Sequence, residues 1–496
     1  TADFFRNRPL QPGEVQVLEP GGLRGIIPVA GLMPVLVPGM VDAGLVALRE
    51  TGTVSAADAL QPALELADGL IVDEMRAGVI GWSKRFLDLW PGTKSIFMPG
   101  ERPPVPGEIL RQPDLARTIR TMIAAERKAL TAGASRQAAI DAVRDVFYRG
   151  EIARRIAAFV GANGGLLTYE DMASFRSKPE PAVCGEYRGY AVCKPGFWTQ
   201  GPVTLQALNI LEGFDLRTMG HNSAGYLHTV AEAIKLALAD RDTFYADPTV
   251  VKVPAERLLS KSYAADRRKL IGPKASHDFR PGSGGTHPSL AETQMVRIDD
   301  DLKMRDTTGI TASDATGTVF AATPSGAALP TVVAGDTGVP LTQRAQSFFL
   351  IPGHPNELAG GKRPRITLSP TLVTRNGKPW LLLSTPGGDN QDQALLQVLL
   401  NVAEFGMNMQ NAIEAPRFQT RHLVASFDNH AMRRGDLLLD ERVAPSVYAD
   451  LTERGHKTAT RSRWNSGAHP VGIRILTNGV MEAGVDPWGY RVAHGW

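Results

Sequence analysis

The chain has 496 residues, of which 43% are hydrophobic and 21% charged, and this balance excludes a largely disordered chain. Its 54 Lys and Arg against 51 Asp and Glu leave a net charge of +3, which argues against a nucleic-acid-binding protein because phosphate binding needs a concentrated basic face. Two cysteines exclude a disulfide scaffold, and the most apolar stretch, residues 22–48, is interrupted by Arg24, Asp42 and three prolines, which excludes a membrane span.

The first half of the chain predicts mainly helices. After an irregular, Pro-rich start, Ser55 is expected to cap a helix over 56–67. The segment 97–112 holds four prolines and is predicted to be a surface loop. Further helices are predicted over 72–89, 114–130, 135–147, 151–160, 204–211 and 226–245.

A β-hairpin is predicted around Cys184 and Cys193, with its turn at Arg188-Gly189. This register pairs Tyr187 with Tyr190 and places the two cysteines opposite each other at a non-hydrogen-bonded position, where side chains come closest. A cross-strand disulfide is therefore feasible. The favoured interpretation is nevertheless two reduced cysteines that pack side by side.

The helix predicted over 226–245 places Glu232, Lys235 and Arg241 on its polar side. His228 and Glu232 lie one turn apart, as two metal ligands would. No further His or Cys stands at a suitable spacing, so the pattern favours a surface or helix-capping pair, and no metal site is predicted.

The character of the chain changes after a polar segment, 272–306, which is predicted to be a linker or an exposed loop. Strands are predicted beyond it, in a hairpin over 307–323 that turns at 314–317, and over 370–374 and 379–384, before a helix over about 391–405. The sequence therefore predicts a helix-rich part, 1–306, and a strand-rich part, 307–496.

The string Asp306-Thr307-Thr308 stands where the polar loop meets the first of these strands. If the bond before Thr307 is cut, the freed α-amine has a near-neutral pKa and can act as the base for the hydroxyl of the same residue. Nothing in the composition indicates such a cut. Local sequence alone favours an ordinary strand start.

Gly387 and Gly388 lie between a predicted strand and a predicted helix. Two consecutive glycines let backbone N–H groups approach a ligand, and the helix N-terminus adds partial positive charge, so the turn could form an oxyanion hole. The pattern alone favours a tight turn with Asp389 or Asn390 as the N-cap. Walker A, G-x-S-x-G and H-E-x-x-H patterns are absent from the sequence, which removes the commonest hydrolase and nucleotide-binding classes.

From about Gly39 to the C-terminus the chain resembles the γ-glutamyltranspeptidases, which are N-terminal-nucleophile hydrolases. The strings that carry the resemblance, in the family's order, include Phe147-Tyr-Arg-Gly-Glu-Ile-Ala, Gly164-Gly-Leu-Leu-Thr-Tyr-Glu-Asp, Leu208-Asn-Ile-Leu-Glu-Gly-Phe, Ala239-Asp-Arg, Gly361-Lys-Arg-Pro, Leu368-Ser-Pro-Thr and Pro386-Gly-Gly. The resemblance implies an α+β fold, a four-layer αββα sandwich made as one precursor that cuts itself once. It also implies that no metal or organic cofactor is needed.

The resemblance places the cleavage between Asp306 and Thr307 and makes Thr307 the nucleophile. Ser325 falls where the family has a hydroxyl residue that supports the nucleophile, and Thr323 lies two residues before it on the same strand. The glycine pair Gly387-Gly388 matches the family glycines whose N–H groups hold the developing oxyanion.

The candidate substrate contacts depart from the family's pattern. Where the family carries a Gln and an Asp for the α-amino end of a glutamyl group, this chain has Arg344 and Ser347, and Ile366-Thr367 stands where a serine pair is expected. A lost carboxylate and an added cation disfavour an α-ammonium and favour an anionic or neutral acyl group. Asp389 is a fourth candidate contact. For Arg344, a structural pairing with an acidic neighbour stays open.

The string that begins at Gln343 is more similar to the branch of the family that includes oxamate amidohydrolase. The resemblance implies a self-processing N-terminal-threonine amidohydrolase that acts on a small-molecule amide. Its two processed subunits are expected to stay bound to each other, and a dimer of this pair also stays open. The alternatives are a γ-glutamyl transferase or glutathione hydrolase, and an uncleaved homologue that acts as a binding protein. The family's upstream segment is not in this chain, which begins at Thr1 without a signal peptide, so cytoplasmic and periplasmic locations both stay open.

Overall fold

The computed structural model describes residues 1–6, 8, 9, 11, 14, 27–288, 307–326, 329, 331–489 and 491–495. Its helices are α1 (Ala2–Arg6), α2 (Gly39–Thr51), α3 (Ala56–Asp68), α4 (Glu74–Trp82), α5 (Lys84–Leu87), α6 (Pro91–Phe97), α7 (Pro113–Thr131), α8 (Arg136–Tyr148), α9 (Glu151–Ala162), α10 (Tyr169–Ser174), α11 (Pro202–Leu211), α12 (Leu216–Met219), α13 (Ala224–Phe244), α14 (Ala255–Leu259), α15 (Lys261–Arg268), α16 (Gln391–Ala403), α17 (Met409–Glu414) and α18 (Pro445–Glu453). Its strands are β1 (Leu70–Ile71), β2 (Ile109–Leu110), β3 (Val183–Tyr187), β4 (Tyr190–Lys194), β5 (Ile310–Ser313), β6 (Val319–Ala322), β7 (Thr371–Arg375), β8 (Lys378–Ser384), β9 (Phe418–Thr420), β10 (Asp436–Asp440), β11 (Lys457–Arg461), β12 (Val471–Ile475) and β13 (Met481–Val485).

Local signals in the sequence set most helix ends correctly. Ser55 caps α3 in a reciprocal capping box with Asp58, and Ser135 caps α8. The helix predicted over 72–89 is wrong in one respect, because it is divided at Ser83 into α4 and α5. Two glycines and a serine in its middle are weak helix formers, and they account for the interruption.

The central sheet has six antiparallel strands in the order β13-β12-β8-β7-β4-β3. Strands β3 and β4 come from the part of the chain before residue 306, and the other four come from the part after it, so the two parts build one sheet. Leu381, Leu382 and Leu383 of β8 are fully buried. A continuous apolar run of this kind indicates that both faces of the strand are covered.

Helices α11 and α16 pack against this sheet, at β3 and β8, and α13 packs against α11, so that these elements form the main core. The β5–β6 hairpin is a separate two-stranded sheet that lies on β8 and β12. The expected α+β character is therefore confirmed. Among the described residues, no helix combines the length and the apolar content that a bilayer crossing requires.

The polar side predicted for the helix over 226–245 does not face solvent. On α13, Glu232, Lys235 and Arg241 are 1%, 4% and 0% exposed. Because α13 packs against α11, α18 and β9, its charges are enclosed and form ion pairs instead. The helix is confirmed as α13, but its three charged side chains are buried and do not share one polar side, since Glu232 and Arg241 lie on opposite sides of the helix.

The predicted hairpin register is confirmed at β3 and β4, where Tyr187 pairs with Tyr190 and Cys184 with Cys193. Arg188 and Gly189 have φ values of 48° and 83°, as a tight two-residue turn requires. The two cysteines form a disulfide, so the expectation of two reduced thiols is wrong. Their directly opposed cross-strand position is what brings the sulfur atoms together.

We expect both thiols to be protected from alkylation until the protein is reduced. Under denaturing, non-reducing conditions iodoacetamide should add no group, and after reduction it should add two, as measured by intact mass. Reduction should lower the free energy of unfolding by about 2 kcal/mol, because it frees a short loop in the unfolded chain.

The matched control for this alkylation is Cys184→Ala, which leaves Cys193 alone and should take one label without reduction. Two labels on the unreduced wild-type protein would contradict the disulfide.

Candidate active site

The antiparallel register of β5 and β6 brings Thr307 opposite Ser325. The pairing continues beyond the strands, since the Thr308 N–H donates to the Pro324 carbonyl at 3.1 Å. Thr307 Oγ1 and Ser325 Oγ lie 2.7 Å apart, within hydrogen-bond distance. Asp306, on the other side of the predicted cleavage, lies outside the described residues.

The hydroxyl of Thr323 is directed toward β8, with its Oγ1 2.8 Å from Ser384 Oγ. The hairpin register sets Gly309 opposite Thr323. A Cβ at Gly309 would lie 2.9 Å from Ser384 Oγ and 3.0 Å from Thr385 N, so a side chain there would force the strands apart. These contacts hold the Thr307 end of the hairpin against the residues that precede the glycine turn.

The glycine turn has a backbone conformation that other residues rarely adopt. Gly387 and Gly388 have φ values of 129° and 55°, and a Cβ at Gly387 would lie 2.4 Å from the Gly467 carbonyl oxygen. Among the described residues, neither N–H of the pair donates to an acceptor. The turn leads directly into α16, whose N-terminus adds partial positive charge. These are the properties that an oxyanion hole requires.

A chain of contacts joins the predicted nucleophile, Thr307, to the glycine turn. Arg344 donates from Nη2 to Ser325 Oγ, and its guanidinium carbon lies 5.0 Å from the centre of the Phe427 ring. A Cβ at Gly388 would lie 3.2 Å from the same ring. Thr307 and Gly388 therefore flank a shared set of side chains, and the structure brings together the predicted nucleophile, supporting hydroxyl, arginine and glycine turn.

Of the candidate substrate contacts, Arg344 lies at this site and Ser347 is enclosed behind it. Both lie on one 3₁₀ turn, Arg344–Ser347. Ser347 is fully buried, and among the described residues its Oγ has no hydrogen-bond partner. Its carbonyl accepts from Asn356 Nδ2 at 2.7 Å.

Thr367 and Asp389, the other two candidates, are both held by protein groups. Thr367 is 2% exposed, and its carbonyl accepts from Gln200 Nε2 at 3.0 Å. Asp389 accepts from Arg241 Nη1, from the Ser426 hydroxyl at 2.6 Å and from the Ser426 N–H at 2.9 Å. Burial raises the pKa of the Asp389 carboxyl, but Arg241 and Ser426 outweigh it, so the net pKa lies below its usual range.

Behind the glycine turn lies a buried ion network that sequence reasoning missed. Arg241 Nε and Arg365 Nη1 both donate to Asp242 Oδ1, at 2.8 and 2.6 Å, and all three residues are at most 1% exposed. Burial and the charge of Arg241 lower the pKa of Arg365 to about 10. Both arginines lie in or beside strings that carry the family resemblance, Ala239-Asp-Arg and Gly361-Lys-Arg-Pro, and this was the available signal.

The pair of His228 and Glu232 is buried, so its interpretation as a surface or capping pair is wrong. His456, remote in sequence, joins it, and the ligand atoms of the three residues lie within 4.8 Å of one another. His228 Nδ1 and His456 Nε2 are 2.9 Å apart, and burial lowers the pKa of His456 to about 3. The two oxygens of Glu232 accept from Lys235 and Arg280, which a metal ion would have to displace. Hydrogen bonds and ion pairs account for this cluster.

Comparisons with known proteins show what the whole chain is similar to. A model of the family described as Gamma-glutamyltranspeptidase matches residues 15–496. The chain is 32% identical over 447 residues to the acylase ACY 1 proenzyme of Pseudomonas sp. (strain SE83), which covers 89% of this chain and 72% of that protein. It is 32% identical over 466 residues to the glutathione hydrolase proenzyme of Escherichia coli (strain K12), with 91% and 73% covered.

The fold is also found in solved structures. A cephalosporin acylase from Bacillus halodurans superposes with a TM-score of 0.75 at 27% identity, covering 97% of this chain and 84% of that one. The expected fold of the N-terminal-nucleophile hydrolase type is confirmed by this likeness.

Replacing Asp389 tests the ion network. Asp389→Asn leaves Arg241 and Arg365 with Asp242 as their remaining carboxylate, so we expect a loss of about 3 kcal/mol in the free energy of unfolding near neutral pH. Because the pKa of Asp389 is depressed in the fold, its stabilisation is present above the unfolded pKa and is lost as the pH falls through the folded value. The difference in the free energy of unfolding between the variant and the wild type should therefore decrease at acidic pH.

Urea denaturation at several pH values measures this difference. The control is Asp450→Asn, whose ion pair with Arg454 is exposed and should contribute less than about 1 kcal/mol. An Asp389 variant as stable as the control would contradict the network.

Proposed function

The chain belongs to the gamma-glutamyltranspeptidase family, and from this premise we propose that it is a self-processing amidohydrolase with Thr307 as its N-terminal nucleophile. Family membership makes it an enzyme of the hydrolase and acyltransferase type. The observation that carries the proposal is the hydrogen-bonded hydroxyl pair of Thr307 and Ser325, three residues before β5 on one side and three residues after β6 on the other. Similarity to two relatives named proenzymes supports the processing step.

The hydrogen-bond partners of Ser325 support Thr307 as the nucleophile. A guanidinium can only donate, so Arg344 takes one lone pair of Ser325 Oγ, and in the proposed site the Ser325 hydroxyl donates to Thr307 Oγ1. The Thr307 proton can then pass to the α-amine that cleavage would free. A donor to Thr307 Oγ1 also stabilises the negative charge that develops as the hydroxyl reacts.

In the proposed reaction the Thr307 hydroxyl attacks an amide carbonyl while its own α-amine takes the proton. The N–H groups of Gly387 and Gly388 stabilise the tetrahedral oxyanion. The amine leaves with the proton returned by the α-amine, and an acyl-enzyme remains. Water, or an acceptor amine, then releases the acyl group by the same steps in reverse.

The substrate class follows from the charges around the site. A γ-glutamyl group needs a carboxylate for its α-ammonium, but Ser347 offers a buried hydroxyl and Asp389 is already bound by Arg241 and Ser426. Arg344, next to Ser325, supplies a cation instead. We therefore assign a small amide with an anionic or neutral acyl part, and place hydrolysis above γ-glutamyl transfer.

Processing is tested with a denaturing gel and N-terminal sequencing. Wild-type protein should give two fragments, the smaller of which begins Thr307-Thr-Gly-Ile. Thr307→Ala should remain a single chain, because it has no hydroxyl to attack the preceding bond. Thr308→Ala is the matched control and should be cut normally, since its hydroxyl accepts from Arg491 and not from Ser325.

Cleavage of Thr307→Ala at the same bond would contradict the assigned nucleophile. A wild-type chain that stays whole on incubation would favour the binding-protein alternative.

Substrate choice is tested with p-nitroanilides that carry a succinyl, an acetyl or a γ-glutamyl group. The wild type should have the highest kcat/KM for the succinyl compound. Arg344→Met should reduce this kcat/KM by about 10- to 100-fold relative to the acetyl compound, because a charge-assisted hydrogen bond contributes about 1.5 to 3 kcal/mol.

Arg120→Met, at an exposed position on α7, is the control. It should leave unchanged the ratio of kcat/KM for the succinyl compound to kcat/KM for the acetyl compound. Faster turnover of the γ-glutamyl compound by the wild type would favour the glutathione-hydrolase alternative.

A further inference from the structure

We infer that Gln200 is a positioning residue that orients the Gly387-Gly388 turn, and that Arg241 holds its side-chain amide in the required direction. The inference rests on the proposed function, since it concerns how the proposed oxyanion hole is held. Gln200 precedes α11 and is completely buried. Its side-chain amide donates to the Gly388 carbonyl, and the ring of Phe427 lies where a Cβ at Gly388 would point.

Arg241 fixes which way the amide of Gln200 points. Arg241 Nη1 lies 2.9 Å from Gln200 Oε1, and because an arginine has no acceptor, the atom facing it must be the amide oxygen. The amide nitrogen therefore faces two carbonyls, those of Gly388 at 2.9 Å and Thr367 at 3.0 Å. The backbone N–H of Gln200 donates to the Ile366 carbonyl at 2.9 Å, so the residue is held at both its backbone and its side chain.

These bonds restrain the two peptide planes on either side of Gly388. The Gly387 carbonyl accepts from the Asn390 N–H at 2.9 Å, and in a planar trans peptide this directs the Gly388 N–H to the opposite side. The Gly388 carbonyl accepts from both Gln200 Nε2 and the Gln391 N–H, which restrains the peptide plane that follows Gly388 and thus the backbone on the far side of its N–H. Two adjacent glycines have wide backbone freedom, and tying both carbonyls removes much of it before a substrate binds.

The same amide joins the turn to the segment that carries Thr367, a candidate substrate contact. One planar amide group thus fixes the separation between the glycine turn and the backbone at Thr367. Donors that are oriented in advance stabilise a developing charge without reorganisation, which is the source of their catalytic effect. Loss of Gln200 should therefore lower kcat more than it raises KM.

The test uses two variants of the full, processed protein. Gln200→Glu is nearly isosteric and keeps the bond to Arg241, but it places an oxygen against the carbonyls of Gly388 and Thr367. Gln200→Met keeps the length without any polar atom. With the best p-nitroanilide, both should lower kcat by about 10- to 100-fold with less than about a threefold change in KM.

Gln206→Met is the matched control, since Gln206 is also buried and, among the described residues, neither atom of its amide has a hydrogen-bond partner. It should keep the wild-type kcat.

Hydrogen exchange measured by mass spectrometry provides a second readout that does not depend on activity. In both Gln200 variants, peptides that cover 386–391 should exchange several-fold faster than in the wild type, and in Gln206→Met they should not. If the wild type hydrolyses no amide, the proposed function fails, and faster exchange would still support the positioning role. Unchanged exchange in the turn, or a kcat equal to that of the control, would overturn it.

Discussion

One buried cation, the guanidinium of Arg241, determines how the site is assembled. Removing a charge from water is unfavourable unless it is paired, and Arg241 is fully buried. It binds Asp242 on its own helix, Asp389 after the glycine turn, the amide of Gln200 and the Val424 carbonyl. Four segments that are distant in sequence therefore meet at one side chain. The position of the glycine turn relative to α13 follows from satisfying this charge.

A second arginine acts on the open side of the turn. Arg344 donates to Ser325, which contacts Thr307, and its guanidinium lies over the ring of Phe427. Atoms Cε2 and Cδ2 of the same ring lie next to Gly388. The aromatic ring thus supports the cation beside the proposed nucleophile and the backbone of the proposed oxyanion hole together, so a change in one would shift the other.

The two positions near the site where a carboxylate would bind an α-ammonium explain why the proposed substrate class differs from a γ-glutamyl group. Asp389 lies next to the glycine pair, yet its charge is balanced by Arg241 and its oxygens accept from Ser426. Ser347 stands where the family resemblance implies an acid and is itself enclosed. Arg344 donates to Ser325 and places a positive charge beside it. Recognition by this site is therefore expected to depend on an acyl group that tolerates or seeks a cation.

The sequence by itself determined the features that depend on near neighbours: the Ser55 cap, the register that opposes Cys184 and Cys193, and the hairpin that carries Thr307. The resemblance to the family added the expectation that the Gly387-Gly388 turn holds an oxyanion. The sequence did not determine which side chains are buried or which residues form their hydrogen bonds and ion pairs. A helical period shows which residues share a face of a helix, but not what covers that face. Arg241 was expected on a polar side, and its partner Asp389 lies 148 residues away. Only the tertiary structure brings such residues into contact, where the need to pair buried charges decides their roles.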